Sequence, residues 1–383
     1  MALHFSREEF AVRQRHACTK MGEEGLDGLL IFRQESMYYL TGYDTAGYSM
    51  FQAMYLGADG ALALVTRSAD RRQAQATSVI EDVRIWIDSE LANPAEDLRD
   101  MLESYGCRGK RLGVEYHAYG LTGQRSRLVD ATLDGFCDLV DASDLVRLLR
   151  LVKSPAELDY VRRAGALTDE ALAVANEMTV PGASIGAIYG EMLNAMLRGG
   201  GDVPCGRWPM GSGEEALLVR YHTGHGQVAD DDQVTFEFAG AYRHYHTVLM
   251  HVVLTGRVDP RHEDMFKACA EALAACQEAL KPGNTVGEVF DIHARVLTEA
   301  GQSEHLLNAC GYTMGATYPP TWMDWPMFYT GNPQVIAPDM VFFLHMILVD
   351  SEAGLAMSLG ETGIVTEAGF EPVCHAPRDL VVN

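Results

Sequence analysis

The chain has 383 residues, 48% of them hydrophobic, and its 53 acidic and 30 basic side chains give a net charge of −23. This length can hold two domains with real cores, and the acidic balance argues against a nucleic-acid or anionic-membrane partner. The charged N-terminal segment lacks a signal-peptide core, and no run of about 18 apolar residues occurs. The eight cysteines are scattered singly, without a C-x-x-C pair. We therefore expect a cytoplasmic protein with reduced thiols.

Short apolar runs alternate with helical stretches in the first 150 residues. Strands are predicted at 26–32, 61–67, 111–116 and 138–143, and helices in the opening segment to about residue 24 and at 93–105. This order predicts an α/β domain of three layers. Because the region contains neither G-x-G-x-x-G nor G-x-x-x-x-G-K, we predict no nucleotide site.

A long helix is predicted to open a second domain. Ser154 is suited to cap this helix, Pro155 suits its first turn, and Glu157 stands where a capping box requires an acid. The domain boundary is therefore placed near residue 150, which gives an N-terminal domain of residues 1–150 and a second domain of residues 151–383.

The second domain contains an internal duplication. Two similar Pro-Gly segments begin at Pro181 and Pro282, and each continues into a helical pattern. Alanine-rich helices (155–178, 262–280) precede the two segments, and strand-rich sequence (234–255, 340–366) follows them. This repeated order predicts an α+β fold in which two pseudo-symmetric halves pack helices over a shared antiparallel sheet. A cleft between such halves is a natural ligand site.

The strand-like run FEFAGAYRHYHTVLM, residues 236–250, carries an acid and paired histidines. His244 and His246 are alternate residues that would face one side of a strand, so with Glu237 they could hold a single metal ion. A third strong ligand would then have to come from His345. The alternative is a metal-free site in which burial raises the pKa of Glu237 and makes it a usable base or nucleophile.

Four short segments occur in a characteristic order: MYYLTGY (37–43), VKSPAEL (152–158), PDMVFF (338–343) and GETGIVTEAG (360–369). Together with the duplication, they resemble the creatinase/prolidase/methionine aminopeptidase superfamily over nearly the whole chain. The resemblance implies a catalytic domain with the pita-bread fold, preceded by an N-terminal α/β domain of the creatinase type.

Metallopeptidases of this superfamily hold two metal ions with five side chains. The matching positions here carry Glu237, Val248, Tyr312, His345 and Gly360. Val248 and Gly360 have no side-chain ligand atom, and Tyr312 is a poor ligand. The resemblance therefore implies a site without metal and, equally, without another cofactor.

Two longer segments are similar to the ectoine hydrolases, a metal-free branch that cleaves C–N bonds as creatinase does. These segments are FEFAGAYRHYH (236–246) and GYTMGATYPPTW (311–322). The similarity implies a hydrolase that opens a small cyclic amidine. The ectoine enzymes continue with a proline and an arginine that YHTVLMHVV lacks, which leaves the substrate open. Arg220, in LVRYH at 218–222, is the candidate replacement for that arginine.

Four residues are the catalytic candidates. Glu237 is expected to be a base or nucleophile, or else a structural acid paired to Arg220 or Arg243. His246 is expected to pass a proton to the leaving nitrogen, or else to be a hydrogen-bonded core histidine.

The other two candidates belong to the second half of the duplication. His345 occupies the position pseudo-symmetric to Glu237 and is expected to form an acid–base pair with it across the cleft. Glu361 is expected to hold a substrate amidinium by paired hydrogen bonds, or else to be a solvated strand end.

Aromatic and polar residues supply the predicted substrate contacts: Tyr312, Tyr318, Trp322, Gln34, Tyr48 and Gln52. The aromatic rings could stack on a delocalised cation. The last three belong to the N-terminal domain, which the resemblance implies closes over the cleft of a homodimer partner. The alternatives to amidine hydrolysis are creatinase-like cleavage of a guanidino compound, Xaa-Pro peptidase-like activity, and a degenerate peptidase that binds without catalysis.

Overall fold

The computed structural model describes residues 3–221 and 225–383, and the chain divides into two compact units, Met1–Arg150 and Leu151–Asn383. The helices of the first unit are α1 (Arg7–Glu24), α2 (Gln34–Thr41), α3 (Ser68–Thr77), α4 (Pro94–Ser104), α5 (Gly123–Leu133) and α6 (Leu145–Leu149). Its strands are β1 (Gly28–Ile31), β2 (Ala53–Gly57), β3 (Leu62–Arg67), β4 (Asp82–Trp86), β5 (Arg111–Val114) and β6 (Asp138–Asp141).

The described part of the first unit forms a six-stranded mixed sheet with the order β4-β3-β2-β1-β5-β6. Alternate residues of its strands enter two different cores: Leu30 packs with α4 and α5, and Leu29 packs with α1 and α2. A sheet covered on both faces is the three-layer α/β arrangement predicted from the sequence, so that prediction is confirmed.

The second unit follows the duplication found in the sequence. Its helices are α7 (Pro155–Met178), α8 (Ile185–Arg198), α9 (Pro260–Ala279) and α10 (Val286–Glu299). Its strands are β7 (Met210–Ser212), β8 (Asp232–Tyr242), β9 (Tyr245–Thr255), β10 (Gly311–Thr313), β11 (Asp324–Met327), β12 (Val341–Asp350), β13 (Leu355–Thr366), β14 (Gly369–Pro372) and β15 (Val381–Val382). Each half thus supplies two helices and a long strand pair.

One curved sheet carries both halves of the second unit. Its order in the described residues is β11-β10-β12-β13-β9-β8-β7, with β14 against β13 and β15 against β9. The pairs β8–β9, β9–β13 and β12–β13 are antiparallel, as predicted. The α7 helix begins with the predicted capping box between Ser154 and Glu157. No helix in the described part of the chain is long and apolar enough to cross a membrane.

Residues 236–250 do not form one strand, contrary to the prediction. Arg243 and His244 have left-handed backbone conformations, with φ of 52° and 66°, and form the two-residue turn between β8 and β9. Such turns match the twist of the two strands that they join. The turn separates His244 from His246, so the alternation assumed for a metal-binding strand does not hold there.

Candidate functional site

A row of four paired residues crosses one face of the curved sheet. Glu237 pairs with Met250, Met250 pairs with Gly360, and Gly360 pairs with His345. Because paired residues of neighbouring antiparallel strands point to the same face, all four positions share one surface. We call this surface the concave face.

The curvature of the sheet brings Tyr312 onto Glu237. Tyr312 lies on β10, four strand spacings from β8, which in a flat sheet would be about 19 Å. Its hydroxyl nevertheless donates a hydrogen bond of 3.2 Å to Oε1 of Glu237. The Tyr312 oxygen in turn accepts a bond of 2.8 Å from Nε1 of Trp322. The chain Trp322–Tyr312–Glu237 fixes the carboxyl at the centre of the concave face.

Burial makes Glu237 a carboxyl that titrates near neutral pH. Burial raises the pKa of Glu237 to about 7, although the Tyr312 hydrogen bond and the charge of Arg220 act to lower it. Burial also raises the pKa of Tyr312 well above its ordinary value, so its hydroxyl keeps its proton. Arg220 is itself exposed, and it acts on this site as a nearby positive charge.

His345 lies beside this pair as a neutral imidazole. Its ring centre is 5.9 Å from that of Tyr312, and its side chain is 6% exposed. Burial, followed by the charges of His293 and Arg220, lowers the pKa of His345 to about 3. Its Nδ1 has no hydrogen-bond partner within the described residues. His345 thus lies near Tyr312 as a neutral imidazole whose Nδ1 is buried without a hydrogen-bond partner among the described residues.

His246 does not reach Glu237, and the structure gives it a structural role. His246 lies on the same face of the sheet as Met250, the partner of Glu237. The two residues are four positions apart along β9, which is about 13 Å. Its Nε2 accepts the backbone N–H of Cys205 at 3.0 Å, so the ring proton lies on Nδ1, 3.2 Å from the hydroxyl of Thr317. Both ring nitrogens are occupied, and burial lowers the pKa to about 3. The predicted proton transfer by His246 was wrong.

Glu361 lies on the opposite face of the sheet. It follows Gly360 directly, and successive strand residues point to opposite faces. Its Oε2 accepts a hydrogen bond of 2.5 Å from Nε2 of Gln277 on α9 and forms an ion pair with Arg378. A carboxylate already paired to a guanidinium behind the sheet cannot hold a substrate amidinium in front of it, so that prediction was also wrong.

The three aromatic candidates are divided between two places. Tyr312 and Trp322 stand at Glu237, as described above. Tyr318 is buried and stacks on His244, with ring centres 4.3 Å apart, at the turn between β8 and β9. That turn is at the end of the strands remote from Glu237, so Tyr318 supports the turn rather than the acid.

Gln34 and Gln52 form part of the first unit's core. Nε2 of Gln52 donates to Oε1 of Gln34 at 2.9 Å, and Nε2 of Gln34 donates to the Tyr43 carbonyl at 2.7 Å. Each is 2% exposed. Amides that satisfy each other in a core have no free face for a ligand, which corrects the prediction for both. Tyr48 is half-buried in a short 3₁₀ helix, Gly47–Ser49.

Known proteins resemble this chain over its whole length. Residues 159–367 match the model of metallopeptidase family M24, and residues 13–152 match that of the creatinase/prolidase N-terminal domain. The chain belongs to the M24 family. The predicted superfamily and pita-bread fold are thereby confirmed.

Relatives of this M24 chain include enzymes with different names. An ectoine hydrolase of Halomonas elongata is 26% identical over 400 residues, which span 100% of this chain and 99% of that protein. A Xaa-Pro dipeptidase of Pyrococcus horikoshii is 20% identical, across 94% of this chain and 96% of its own length. The solved structure of a Xaa-Pro dipeptidase from Bacillus anthracis has the same fold, with a TM-score of 0.85 at 19% identity and coverage of 98% and 100%.

The residues of this M24 chain do not fit the two-metal centre that the family implies. No cluster of three or more His, Cys, Asp or Glu side chains able to hold a metal occurs among residues 3–221 and 225–383. At one ligand position, a Cβ added to Gly360 would lie 2.8 Å from the Phe343 ring, which fills that space. At another, Val248 presents an apolar side chain. His222, in the LVRYH stretch, lies outside the described residues.

The sequence did not indicate that the segment 209–219 lies next to Glu237. A narrow cavity opens between the concave face and the segment 209–219, and Glu237 forms part of its wall. Its sheet wall includes Ile347 and Ser358, two residues from His345 and Gly360 respectively. The period of two along β12 and β13 could have identified these positions once the face of His345 was known.

Proposed function

We propose that this M24 hydrolase opens a small cyclic amidine by cleaving a non-peptide C–N bond without a metal ion; one of its relatives is named ectoine hydrolase. The observation that carries the proposal is the Glu237 carboxyl, whose pKa burial raises to about 7, hydrogen-bonded by Tyr312 at a position where metallopeptidases of the superfamily place a ligand. Such a carboxyl can both accept and return a proton at neutral pH.

The ionised form of Glu237 suits a cationic substrate. A protonated amidine spreads one positive charge over two nitrogens and leaves its central carbon electrophilic. Glu237 forms no ion pair within the described residues, although the charge of the exposed Arg220 acts on it, so an amidinium can bind as its direct partner. The rings of Tyr312 and Phe343, 5.3 Å apart, pack against each other beside the acid and keep its surroundings apolar.

The chemical step balances with Glu237 as base and then acid. The carboxylate accepts a proton from water as the water oxygen bonds to the amidine carbon. The ring C–N bond then breaks, and the proton on Glu237 passes to the departing nitrogen. As the hydroxyl on the carbon becomes an amide carbonyl, its proton also joins the departing nitrogen, which leaves as an ammonium. One water molecule is consumed, and Glu237 is again ionised. Tyr312 remains protonated and orients the carboxylate throughout.

Direct attack by the Glu237 carboxylate on the amidine carbon is the alternative to attack by water. A labelling experiment distinguishes the two mechanisms. A single turnover in ¹⁸O-water would leave the label in the product alone if water attacks. Label incorporated into the Glu237 carboxyl would mean that the carboxylate itself formed the bond and water later released it.

Peptide hydrolysis is the second candidate, because relatives named Xaa-Pro dipeptidase and dipeptidase PepE match 94% and 99% of the chain. Purified protein of known metal content should be assayed by mass spectrometry against ectoine, hydroxyectoine, creatine and Xaa-Pro dipeptides, with and without chelator. We expect chelator-resistant ring opening that Glu237→Gln abolishes. Dipeptide cleavage restored by manganese after chelation would replace the proposal with the peptidase, and urea release from creatine would replace it with creatinase-like cleavage.

The homodimer and the cytoplasmic location implied at the outset stay predictions. Analytical ultracentrifugation of the purified chain tests the dimer, for which we expect a mass near twice that of the 42.0 kDa chain.

A further inference from the structure

A second pocket of the second unit lies where α9 begins, at the ends of β8, β9 and β13. Its volume is about 370 Å³, and among the described residues it shares no wall residue with the cavity beside Glu237. We call it the α9 pocket. Apolar side chains form one part of its wall: Leu254, Val258, Ala353 and Leu355. Four acids line the remaining part: Glu214, Asp231, Asp232 and Asp259.

His262, the third residue of α9, is a buried polar group in the wall of this pocket, with 6% of its surface exposed. Its Nε2 lies 2.8 Å from Oε1 of Gln233. The Gln233 amide has a fixed orientation, because its Nε2 donates to the carbonyls of Gly213 at 3.0 Å and Gly354 at 2.7 Å. Its Oε1 is therefore the acceptor that faces His262. The ring proton of His262 must then lie on Nε2, and Nδ1 carries a lone pair.

The Nδ1 lone pair of His262 has no hydrogen-bond partner within the described part of the chain. Burial lowers the pKa of this imidazole, so the ring stays neutral and Nδ1 stays an acceptor near neutral pH. A buried acceptor without a donor costs free energy, and a ligand that supplies an N–H group removes that cost. The α9 pocket is therefore suited to a ligand that donates hydrogen bonds.

Two of the four acids in this wall already have a cation. Asp231 forms an ion pair with Arg257 at 3.5 Å, and Asp259 forms one with Arg261 at 2.7 Å. The Asp259 side chain also caps α9 by accepting the backbone N–H of Arg261. The charges of Asp231 and Asp259 are therefore balanced within the protein.

The other two acids, Glu214 and Asp232, form no ion pair within the residues that the structure describes. The backbone N–H of Gly213 donates to Oδ1 of Asp232 at 2.8 Å, so Asp232 lies next to the backbone that carries Glu214. The N–H of Ala229 holds the other oxygen of Asp232 at 2.8 Å, while the Glu214 side chain is exposed. Two neighbouring carboxylates without a cation attract a ligand with two positive charges.

We propose that the α9 pocket binds a small aliphatic diamine. Both amino groups of such a compound are protonated at neutral pH, as the amino group of a lysine side chain is. One ammonium group donates to Nδ1 of His262, and the two charges are offset by Glu214 and Asp232. The alkyl chain between them contacts the apolar side chains of Leu254 and Leu355. The inference is independent of the proposed function, since the pocket contains none of the residues assigned to the reaction.

A metal ion fits the α9 pocket less well than an ammonium group does. Among residues 3–221 and 225–383, no three His, Cys, Asp or Glu side chains are grouped closely enough to hold a metal. An ammonium group does not need such a cluster, because each of its three N–H bonds can meet a different acceptor at hydrogen-bond distance.

Isothermal titration calorimetry of the full chain with three four-carbon probes tests the proposal. Putrescine carries two charges, butylamine carries one and butanediol carries none. We expect butylamine to bind about two- to fivefold more weakly than putrescine, the contribution of one exposed ion pair, and butanediol to bind least. Glu237→Gln should bind putrescine as the wild type does, because Glu237 lies outside the pocket.

A charge variant and an NMR signal test the residues of the pocket. Glu214→Gln removes one carboxylate and should weaken putrescine binding about two- to fivefold. Glu191→Gln is the matched control, because Glu191 is an exposed glutamate of α8 that does not line the pocket. It changes the net charge equally and should leave the affinity unchanged. Putrescine should also shift the ¹⁵N NMR signal of His262 Nδ1, since that nitrogen accepts a new hydrogen bond.

Four results would overturn the proposal. Equal weakening by Glu214→Gln and Glu191→Gln would mean that only the overall negative charge of the chain attracts putrescine. Loss of putrescine binding in Glu237→Gln would place the diamine at the candidate active site. An unmoved Nδ1 signal at saturating putrescine would remove His262 as the acceptor, and a signal moved by Zn²⁺ but not by putrescine would make this a metal site. None of these results contradicts the proposed hydrolysis, which the activity assays test separately.

Discussion

Two glutamates in one sheet, Glu237 half-buried and Glu361 fully buried, have opposite surroundings. Glu237 on β8 faces the concave side, where its hydrogen-bond partner is the neutral hydroxyl of Tyr312. Glu361 on β13 faces the helices and is paired with the guanidinium of Arg378 and the amide of Gln277. Burial raises the pKa of both. The difference that matters is the partner: a carboxylate with its own cation is structural, and one without a cation can receive a charged substrate.

Exchanging each acid for its amide tests the difference between Glu237 and Glu361 most directly. Glu237→Gln keeps the shape and removes the base, so we expect turnover to fall by about 10²–10⁴-fold. Glu361→Gln should leave activity close to wild type and lower the free energy of unfolding by about 1–3 kcal/mol, because Arg378 loses its counter-ion. Steady-state kinetics and urea unfolding measure both. An inactive, stably folded Glu361→Gln protein would contradict the assignment.

The pH profile tests whether Tyr312 tunes the reactive acid. Since the base must be ionised, wild-type activity should rise with pH through a midpoint near 7, the pKa of Glu237. The Tyr312 hydrogen bond lowers that pKa, so Tyr312→Phe should move the midpoint to higher pH by about one pH unit and slow turnover. Tyr318→Phe is the control, since Tyr318 stacks on His244 at the turn remote from Glu237. Unchanged midpoints in Tyr312→Phe would argue against this hydrogen bond.

A third carboxyl, that of the buried Glu115, has the same raised pKa as Glu237 but lies outside the candidate site. Burial raises the pKa of Glu115 to about 7, and its carboxylate accepts bonds from Ser36 Oγ at 2.6 Å and Arg33 N at 3.0 Å. The folded pKa exceeds the unfolded value, so stability is greatest below about pH 4.5 and falls as pH rises to about 7. Wild-type protein should therefore lose up to about 3 kcal/mol of its free energy of unfolding between about pH 4.5 and 7. Glu115→Gln should remove this loss.

Thermal unfolding measured at several pH values tests this dependence of stability on pH. Glu237→Gln should flatten the same window, since its pKa is shifted in the same direction. If Glu115→Gln unfolds with the pH dependence of the wild type, the carboxyl of Glu115 is ionised at little cost in the folded protein.

His246 should have the smallest effect on catalysis. His246→Ala leaves the Cys205 N–H without its acceptor and should cost about 1–3 kcal/mol of stability. At temperatures where the variant is folded, turnover should remain close to wild type. A pH-independent loss of turnover as large as that of Glu237→Gln would return His246 to the reaction and contradict its structural assignment.

Local sequence patterns were enough to predict most of the secondary structure and the family. Caps and periodicity are local properties, so the helix from Pro155 and its capping box could be read directly. The superfamily motifs and the duplication then identified the pita-bread fold and singled out Glu237. The turn at Arg243 and His244 was missed because neither residue is the glycine or asparagine that usually indicates such a turn.

Which of the candidate residues meet depends on how distant parts of the chain pack together. Curvature of the sheet brings Tyr312 to Glu237 from four strands away, a distance that sequence spacing cannot express. A shift of one residue along β13 puts Glu361 behind the sheet, and Gln34 is satisfied by a partner 18 residues away. A side chain's chemistry depends on its face, its burial and its hydrogen-bond partners, and these are set by contacts between distant parts of the chain.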